Sequence, residues 1–487
     1  MIALTLAEVA RAVGGELAVG GQLTGGAGDL VVSGSVLVDS RAVAAGDLFV
    51  ALPGERVDGA DFVPAAAAAG AVAALTTRPD PALPCVVVPD PVEALGRLAG
   101  AVHRRLVEGG LVTVGITGSS GKTSTKDLLG QVLATAGPTV SPQGSFNNDI
   151  GLPLTVLTAD ADTRHLVLEM GARGPGHIAR LCRIARPRIG VVLNVGSAHL
   201  GEFGSAEVIA TSKGELVEAL PAEGTAVLNA DDPRVIGMAP RTSAAVVTTG
   251  VEDEADVRAT DVTLDDGARP RFTLQAGGEQ HPVALQVVGL HQVANALSAA
   301  GAALAAGMTP AQVAAALSAA GPRSRWRMEV TRRADGVTVV NDAYNANPES
   351  MRAALAALVR LPGRRRIAVL GAMGELGPAA DAAHARLGRD AVRAGVDLLV
   401  AVGPDAVGVY TGALAERGAR DAGGGAADSH GGEQETSVHV PDRAAAARFL
   451  AEVVAPGDVV LVKASRSYGL EELAAELLGS DGPEVTA

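Results

Sequence analysis

Residues 115–127 read GITGSSGKTSTKD, and this stretch limits what the chain can fold into more than any other. It follows the apolar run Leu111–Ile116 and precedes Leu128, Leu129, Val132 and Leu133, spaced for one face of a helix that Gly137-Pro138 ends. In a strand–glycine turn–helix unit, backbone N–H groups and the positive helix end surround a phosphate. Thr117, Gly118, Ser119, Ser120 and Gly121 supply the turn, Lys122 can reach terminal phosphates, and the Thr123 hydroxyl can touch Mg²⁺. The usual template has a glycine five positions ahead of the Gly-Lys pair; Ile116 stands there, so this loop is a shortened form. An ordinary glycine turn is the competing reading, and strand, GKT and helix together weigh against it.

Around that unit the pattern repeats as apolar strand, glycine-containing loop and amphipathic stretch, which indicates parallel α/β architecture. Candidate strands are Leu111–Ile116, His165–Glu169, Ile189–Asn194 and Thr225–Asn229. A second series comprises Val337–Asn341, Ile367–Leu370, Leu398–Val402 and Val459–Val462, beyond a break near Ala320–Ser324. The first 108 residues mix short apolar runs (Val31–Val38, Leu48–Leu52, Cys85–Val88) with alanine-rich helical segments. With 487 residues to accommodate, we expect three domains, at 1–108, 109–322 and 323–487. The polar, low-complexity stretch 421–436 is expected to be a mobile surface loop. Chemistry-capable residues cluster just after strand ends, where open parallel sheets bind ligands.

Composition excludes several classes. No stretch of 18 or more apolar residues lacks charge or glycine, so no membrane insertion is expected. The N-terminus has no basic start and carries Glu8, unlike a secretory signal. Cys85 and Cys182 have no metal spacing, which fits a reducing cytoplasm. A net charge of -14 argues against nucleic acid as a partner. Only four of the 40 basic residues are lysines (Lys122, Lys126, Lys213 and Lys463), so each marks a place where a compact amine is wanted instead of a planar fork.

Glu169 ends the strand-like HLVLE and can hold Mg²⁺ opposite Thr123; His199, in NVGSAHLGEF, can supply a second metal ligand. Lys213 shares a helical face with Ile209, Leu216 and Leu220. A lysine there either snorkels to water or loses its proton, and a neutral amine can take up CO₂ as a carbamate. Gly214 beside it suggests close approach of another group. In NDAYNANPES, Asp342 suits ribose hydroxyls, and Tyr344, Asn345 and Asn347 add polar contacts, unless the stretch is only an Asn-Pro turn. Lys463, Ser465 and Arg466, in VKASRSYG, suit a carboxylate or phosphate clamp.

TGSSGKTSTK, SFNNDIGLP, EMGA, SAHLGEFGS, SKGEL, GLHQVANAL, NDAYNANP and LVKASRS follow one another in the order found in the Mur ligases, which the chain resembles over nearly its whole length. DSR at 39–41 and LFVALPGERVDGADF at 48–62 extend the resemblance into the first segment. The resemblance implies a central P-loop ATPase domain flanked by an N-terminal UDP-binding α/β domain and a C-terminal Rossmann-like domain. It also implies an ATP- and Mg²⁺-dependent amide ligase of the branch that joins D-alanyl-D-alanine to a UDP-N-acetylmuramoyl-tripeptide, acting as a cytoplasmic monomer. On this basis Lys122, Glu169, His199 and Lys213 are the expected catalytic group, with Lys213 carbamylated. His291 and Asn295 correspond to the adenine contact, Asp342 to the ribose contact, and Arg327 (or Arg325) to the arginine on the ATP phosphates, with Asn345 alongside. Ser40 and Arg41 would meet UDP, Asn147 and Asn148 the muramoyl side, and Asn347, Lys463, Ser465 and Arg466 the amino-acid end. His177, Ala372 and Ala464 depart from the family pattern, which expects a glutamate, an aspartate and a glycine.

Overall fold

A computed structural model describes all residues except 24–26, 55, 197–199, 253, 424–435 and 480–487. His199 and residues 424–435 of the stretch 421–436 therefore lie outside the described residues. The phosphate-loop strand, Val112–Thr117, lies inside a nine-stranded sheet, between His165–Glu169 and Ile189–Val192. All three are parallel, with Glu169 level with Ile116 and Val192 level with Thr117. Their side chains are almost wholly buried, which is why a parallel strand reads as an unbroken apolar run. Thr139–Val140 closes one edge, and Thr225–Asn229 and Ala245–Gly250 continue the other in parallel.

The central sheet is parallel, as expected, and carries an antiparallel extension at one edge. Val257–Leu264 joins it in parallel, but Pro270–Ala276 and Glu279–Ala284 pair antiparallel beyond it. Gly277 and Gly278, at φ 58° and 81°, form a two-residue turn that twists with the strands they join. One face of Pro270–Ala276 is buried at every second residue, so this part is half-solvated, unlike the parallel part.

A six-stranded mixed sheet lies before this one and another after it. The first orders Gln22–Leu23, Glu16–Val19, Cys85–Val87, Ala73–Thr76, Leu48–Val50 and Val36–Leu37. The last orders Glu329–Arg332, Thr338–Asn341, Val459–Lys463, Arg366–Leu370, Leu398–Val402 and Ser437–Val440, with only the first pair antiparallel. The helix Pro91–Glu108 joins the first sheet to the second. Asp90 caps it through the backbone N–H groups of Val92 and Glu93, and proline occupies its first position. Gly96 and Gly100 let it lie close against Ile184 of the helix His177–Ala185, and one apolar core runs from Leu48 and Val86 through Leu98 to Leu166 and Leu181. His103, also on this helix, is 1% exposed and meets the Thr113 hydroxyl at 2.8 Å.

Two consequences are measurable. Burial lowers the His103 pKa to about 4, so the unfolded chain binds a proton there before the folded one does. Up to about 3 kcal/mol of stability should disappear as pH falls from about 6.5 to 4, and His103→Gln should flatten that part of the pH–stability curve. In the last unit, helices Ala380–Ala394 and Val407–Gly423 touch at Gly388, where a Cβ would lie 1.9 Å from the Val409 carbonyl oxygen. Gly388→Ala should cost about 1–3 kcal/mol in denaturant unfolding. Gly418→Ala, with nothing within 4 Å of its added methyl, should gain about 0.5–1 kcal/mol.

Candidate active site

The phosphate loop takes its shape from the strand beside it. Ser119 donates its backbone N–H to the Asn194 carbonyl at 3.1 Å. The Asn194 side-chain amide accepts from the Ser120 N–H at 3.0 Å and donates to the Ser120 carbonyl at 3.2 Å. Gly121 opens the helix Lys122–Ala134 with φ 82°, and a Cβ there would lie 2.4 Å from Asn295 Oδ1. Both the backbone conformation and that contact require glycine. Lys122 curls back to donate to the Gly118 carbonyl at 2.5 Å. Its pKa is lowered by burial, with the Glu169 charge opposing and Arg327 adding to the shift.

Glu169 is 2% exposed at the tip of the adjoining strand. Ser145 donates to its Oε2 at 2.8 Å, whereas its buried Oε1 has no hydrogen-bond partner. A buried carboxylate oxygen without a hydrogen-bond partner is the kind of ligand a hard cation prefers, although the Lys126 ammonium at 3.8 Å already offsets part of its charge. Lys213, on the helix Ala206–Glu218, is 5% exposed and makes no hydrogen bond or ion pair with another described residue. Burial lowers its pKa well below the ordinary lysine value, and the nearby Lys122 charge lowers it further. The lysine therefore does not snorkel. Close approach at Gly214 is explained by Arg241: a Cβ at 214 would overlap the guanidinium that donates to the Thr211 carbonyl at 2.9 Å.

The last unit contributes the opposite wall. Arg327 donates to Thr123 Oγ1 at 3.2 Å, and its guanidinium lies 4.0 Å from the centre of the Tyr344 ring. Of the two candidate arginines, Arg327 is the one at the phosphate loop; Arg325 is exposed beside Trp326. Ser119–Ser124, Ser145, Asn147, Arg327, Tyr344, Asn345, Asn347 and Ser350 enclose one cleft of about 230 Å³.

Other expected contacts turn out to be engaged with one another. Lys463 donates to Asp342 Oδ2 at 2.6 Å and to the Asn345 carbonyl at 2.9 Å, while Asp342 Oδ1 accepts from the Met328 N–H at 3.1 Å. Asn347 caps the helix Pro348–Leu358 in a reciprocal pair with Ser350. Ser465 accepts from the Gly374 N–H at 2.8 Å. These residues hold the loops of the last sheet together. Arg466, half exposed, pairs with Glu471 and lies 4.3 Å over the Trp326 ring.

Asn148 accepts from the Ile150 and Gly151 N–H groups at 3.2 and 2.8 Å and so opens the helix Gly151–Val156. Asn147, by contrast, donates to Ser145 at 3.0 Å and faces the cleft. His291 precedes the helix Gln292–Ala305; burial lowers its pKa to about 4, with Asp342 opposing and Lys463 adding. Asn295 receives its approach from Gly121 and donates to Gln292 at 2.9 Å. In the first unit, Arg41 is 88% exposed and paired with Asp39 at 2.7 Å, beside Ser40. The structure does not bring Ser40 or Arg41 into the cleft lining.

The departures have local explanations. His177 lies 3.3 Å from Asp149, which also pairs with Arg180. Ala464 packs where a Cβ at Gly371 would collide with it, and the Ala372 carbonyl accepts from the Ser465 N–H at 3.1 Å. Sequence reasoning assigned no part to Ser145 or Asn194, although both stand inside or beside the quoted motifs. Lys126 stood out only through the scarcity of lysine.

Family profiles match three successive segments: "Mur ligase family, catalytic domain" over 34–103, "Mur ligase middle domain" over 116–303, and "Mur ligase, glutamate ligase domain" over 326–466. The chain is 51% identical over 510 aligned residues to the UDP-N-acetylmuramoyl-tripeptide–D-alanyl-D-alanine ligase of Mycobacterium tuberculosis, with 99% of each covered. Its identity to the Escherichia coli K12 protein of that name is 34% over 480 residues, covering 97% of this chain and 98% of the other. Among solved structures, MurF from Acinetobacter baumannii superposes with a TM-score of 0.85 at 30% identity, covering 98% and 99% of the two chains. MurF from Thermotoga maritima in complex with ADP gives 0.75 at 31% identity, covering 92% and 97%. With three profiles in order and relatives matched end to end, the chain belongs to the Mur ligase family.

Proposed function

We propose that this chain joins D-alanyl-D-alanine to a UDP-N-acetylmuramoyl-tripeptide with cleavage of ATP to ADP and phosphate, a step of peptidoglycan synthesis. Full-length likeness to relatives bearing that name supports the substrates, and the ADP-bound neighbour supports the nucleotide. The observation that carries the reading is the cleft itself: the phosphate loop and the Arg327–Tyr344 stack share one wall-to-wall space with Ser145 and Asn147. A carboxylate is a poor electrophile until one oxygen becomes a leaving group. Transfer of the γ-phosphoryl group to the tripeptide carboxylate supplies it, and the dipeptide amine then attacks the acyl phosphate and expels phosphate.

In this reading residues 109–322 hold ATP, 1–108 the UDP end through Ser40 and Arg41, and 323–487 the incoming dipeptide. The loop N–H groups of 118–121, Lys122 and Arg327 balance charge on the phosphates. Asn295, His291 and Asp342 are assigned to the nucleoside. Asn147 faces the muramoyl side, with Asn148 shaping the turn behind it. At the amino-acid end Arg466 presents the guanidinium, and Lys463, Ser465, Asn345 and Asn347 shape the loops around it. Thr123 and Glu169 fit Mg²⁺, since Glu169 Oε1 is buried and unbonded; His199 is assigned with them on the sequence alone. The bound ion would supply charge neutralisation at the transferring phosphoryl group.

Lys213 is assigned as a carbamate. Its neutral amine adds to CO₂, forming an N–C bond and releasing one proton, and the resulting anion would face the Lys122 charge. Support comes from its burial and its lack of a counterion among the described residues. The protein is assigned to the cytoplasm as a monomer; among the described residues no helix is long and apolar enough to cross a membrane.

Phosphate release should require the UDP-tripeptide, ATP and D-alanyl-D-alanine together. Release with D-alanine or a diamino acid in place of the dipeptide would overturn the acceptor assignment. Lys213→Ala should lose at least ~100-fold in kcat and regain part of it in short-chain carboxylic acids; a fully active mutant would remove the carbamate from the mechanism.

A further inference from the structure

The helix Lys122–Ala134 carries a second lysine, four residues after the one in the phosphate loop. Lys126 is 1% exposed, and no step assigned above uses it. A fully buried ammonium persists only where donors and charges around it are satisfied. Lys126 meets this condition with groups from three segments. It donates to the Pro142 carbonyl and, at 2.8 Å, to the Gly144 carbonyl; its own neighbour Asp127 lies at 3.0 Å, and Glu169 Oε1 at 3.8 Å.

Those carbonyls belong to the loop that continues into Ser145 and Asn147. Ser145 donates to Glu169, and Asn147 donates to Ser145, so the loop's position sets the part of the cleft that Ser145 and Asn147 line. The same junction reaches the connection between the second and third sheets. Asp127 Oδ2 accepts from the Ser324 N–H at 3.0 Å, and Ser324 Oγ accepts from the Gly144 N–H at 3.2 Å. Ser324 stands three residues before Arg327, which meets Thr123.

We propose that Lys126 is a positioning residue that locks the 142–147 loop to the phosphate-loop helix, so that the substrate carboxylate and the γ-phosphate of ATP meet in register. This rests on the ligase reading of the cleft. Lys126 touches neither substrate; it acts through the backbone of residues 142–144 and, with Asp127, through Ser324. Each ligand can bind to its own segment without this lock, whereas reaction requires the two segments at one separation, and small errors in that separation cost rate steeply. A lysine suits the role better than an arginine, because converging carbonyls at one point need a compact donor.

The test is steady-state kinetics of the full chain with ATP, UDP-tripeptide and D-alanyl-D-alanine, beside ADP affinity by calorimetry. Lys126→Met should lower kcat by at least ~30-fold while the ADP dissociation constant stays within about threefold. A kcat within threefold of the parent, or an ADP affinity falling in step with kcat, would overturn the proposal. Ser324→Ala removes one hydroxyl that Gly144 uses and leaves the buried charges in place. It should show the same split at about 3–10-fold in kcat, and it decides the matter if Lys126→Met does not fold; parental kcat there counts against the lock. Failure of the ligase reading looks different: the unmutated protein itself then releases no phosphate with these three substrates.

Discussion

One side chain fixes the phosphate loop: Asn194, whose amide both accepts from and donates to the backbone of Ser120. A loop of five residues between a strand and a helix could adopt many turns, and only one points its N–H groups inward. Asn194 is available because it follows the strand Ile189–Val192, which lies directly beside Val112–Thr117 in parallel register. A glycine at 121 then admits Asn295 from the far side. The shortened loop is thus held by one asparagine and packed closely against a second. The other site residues are placed around it: Glu169 at the tip of the adjoining strand, Lys213 near enough for the Lys122 charge to act on it, and Arg327 from the last unit.

Much of this was legible in the sequence, for a physical reason. Buried parallel strands read as apolar runs, and His165–Glu169, Thr225–Asn229 and Leu398–Val402 match their expected bounds to the residue. The antiparallel strands Pro270–Ala276 and Glu279–Ala284 escaped because alternating burial gives no run. Their clearest sign was the Gly277-Gly278 pair. Among site residues, NDAYNANP drew attention for its side-chain chemistry, but Asn347 uses that chemistry to cap a helix and Asp342 to hold Lys463. Short polar side chains that suit ligands also suit caps and turns, so composition alone cannot separate the two uses. Lys126 was opaque for another reason: a helical lysine between Thr125 and Asp127 does not reveal that carbonyls of a separate loop surround it.

The junction between the second and third sheets is similarly specific. Gln131 exchanges hydrogen bonds with Gly321 in both directions, at 3.0 and 3.1 Å, and Asp127 holds Ser324. Immediately afterwards Trp326 and Met328 both have positive φ, 60° and 51°. Left-handed backbone at bulky residues costs about 1–3 kcal/mol each and needs support from its surroundings. Support comes from Glu329, which accepts from the Trp326 N–H at 3.0 Å, and from Asp342, which accepts from that of Met328. The chain is therefore tied to the phosphate-loop helix at Gly321 and Ser324 and then turns twice, which aims Arg327 back at Thr123.

The chain contains one tryptophan, and it lies in this turn between two guanidinium groups, Arg325 at 5.7 Å and Arg466 at 4.3 Å from the ring centre. Indole emission depends strongly on charge near its face. All the protein's tryptophan light therefore comes from a single point where the backbone bends between two sheets. Any ligand that draws Arg466 from the ring alters the colour or yield of that light, so the unlabelled protein carries its own optical gauge of this turn.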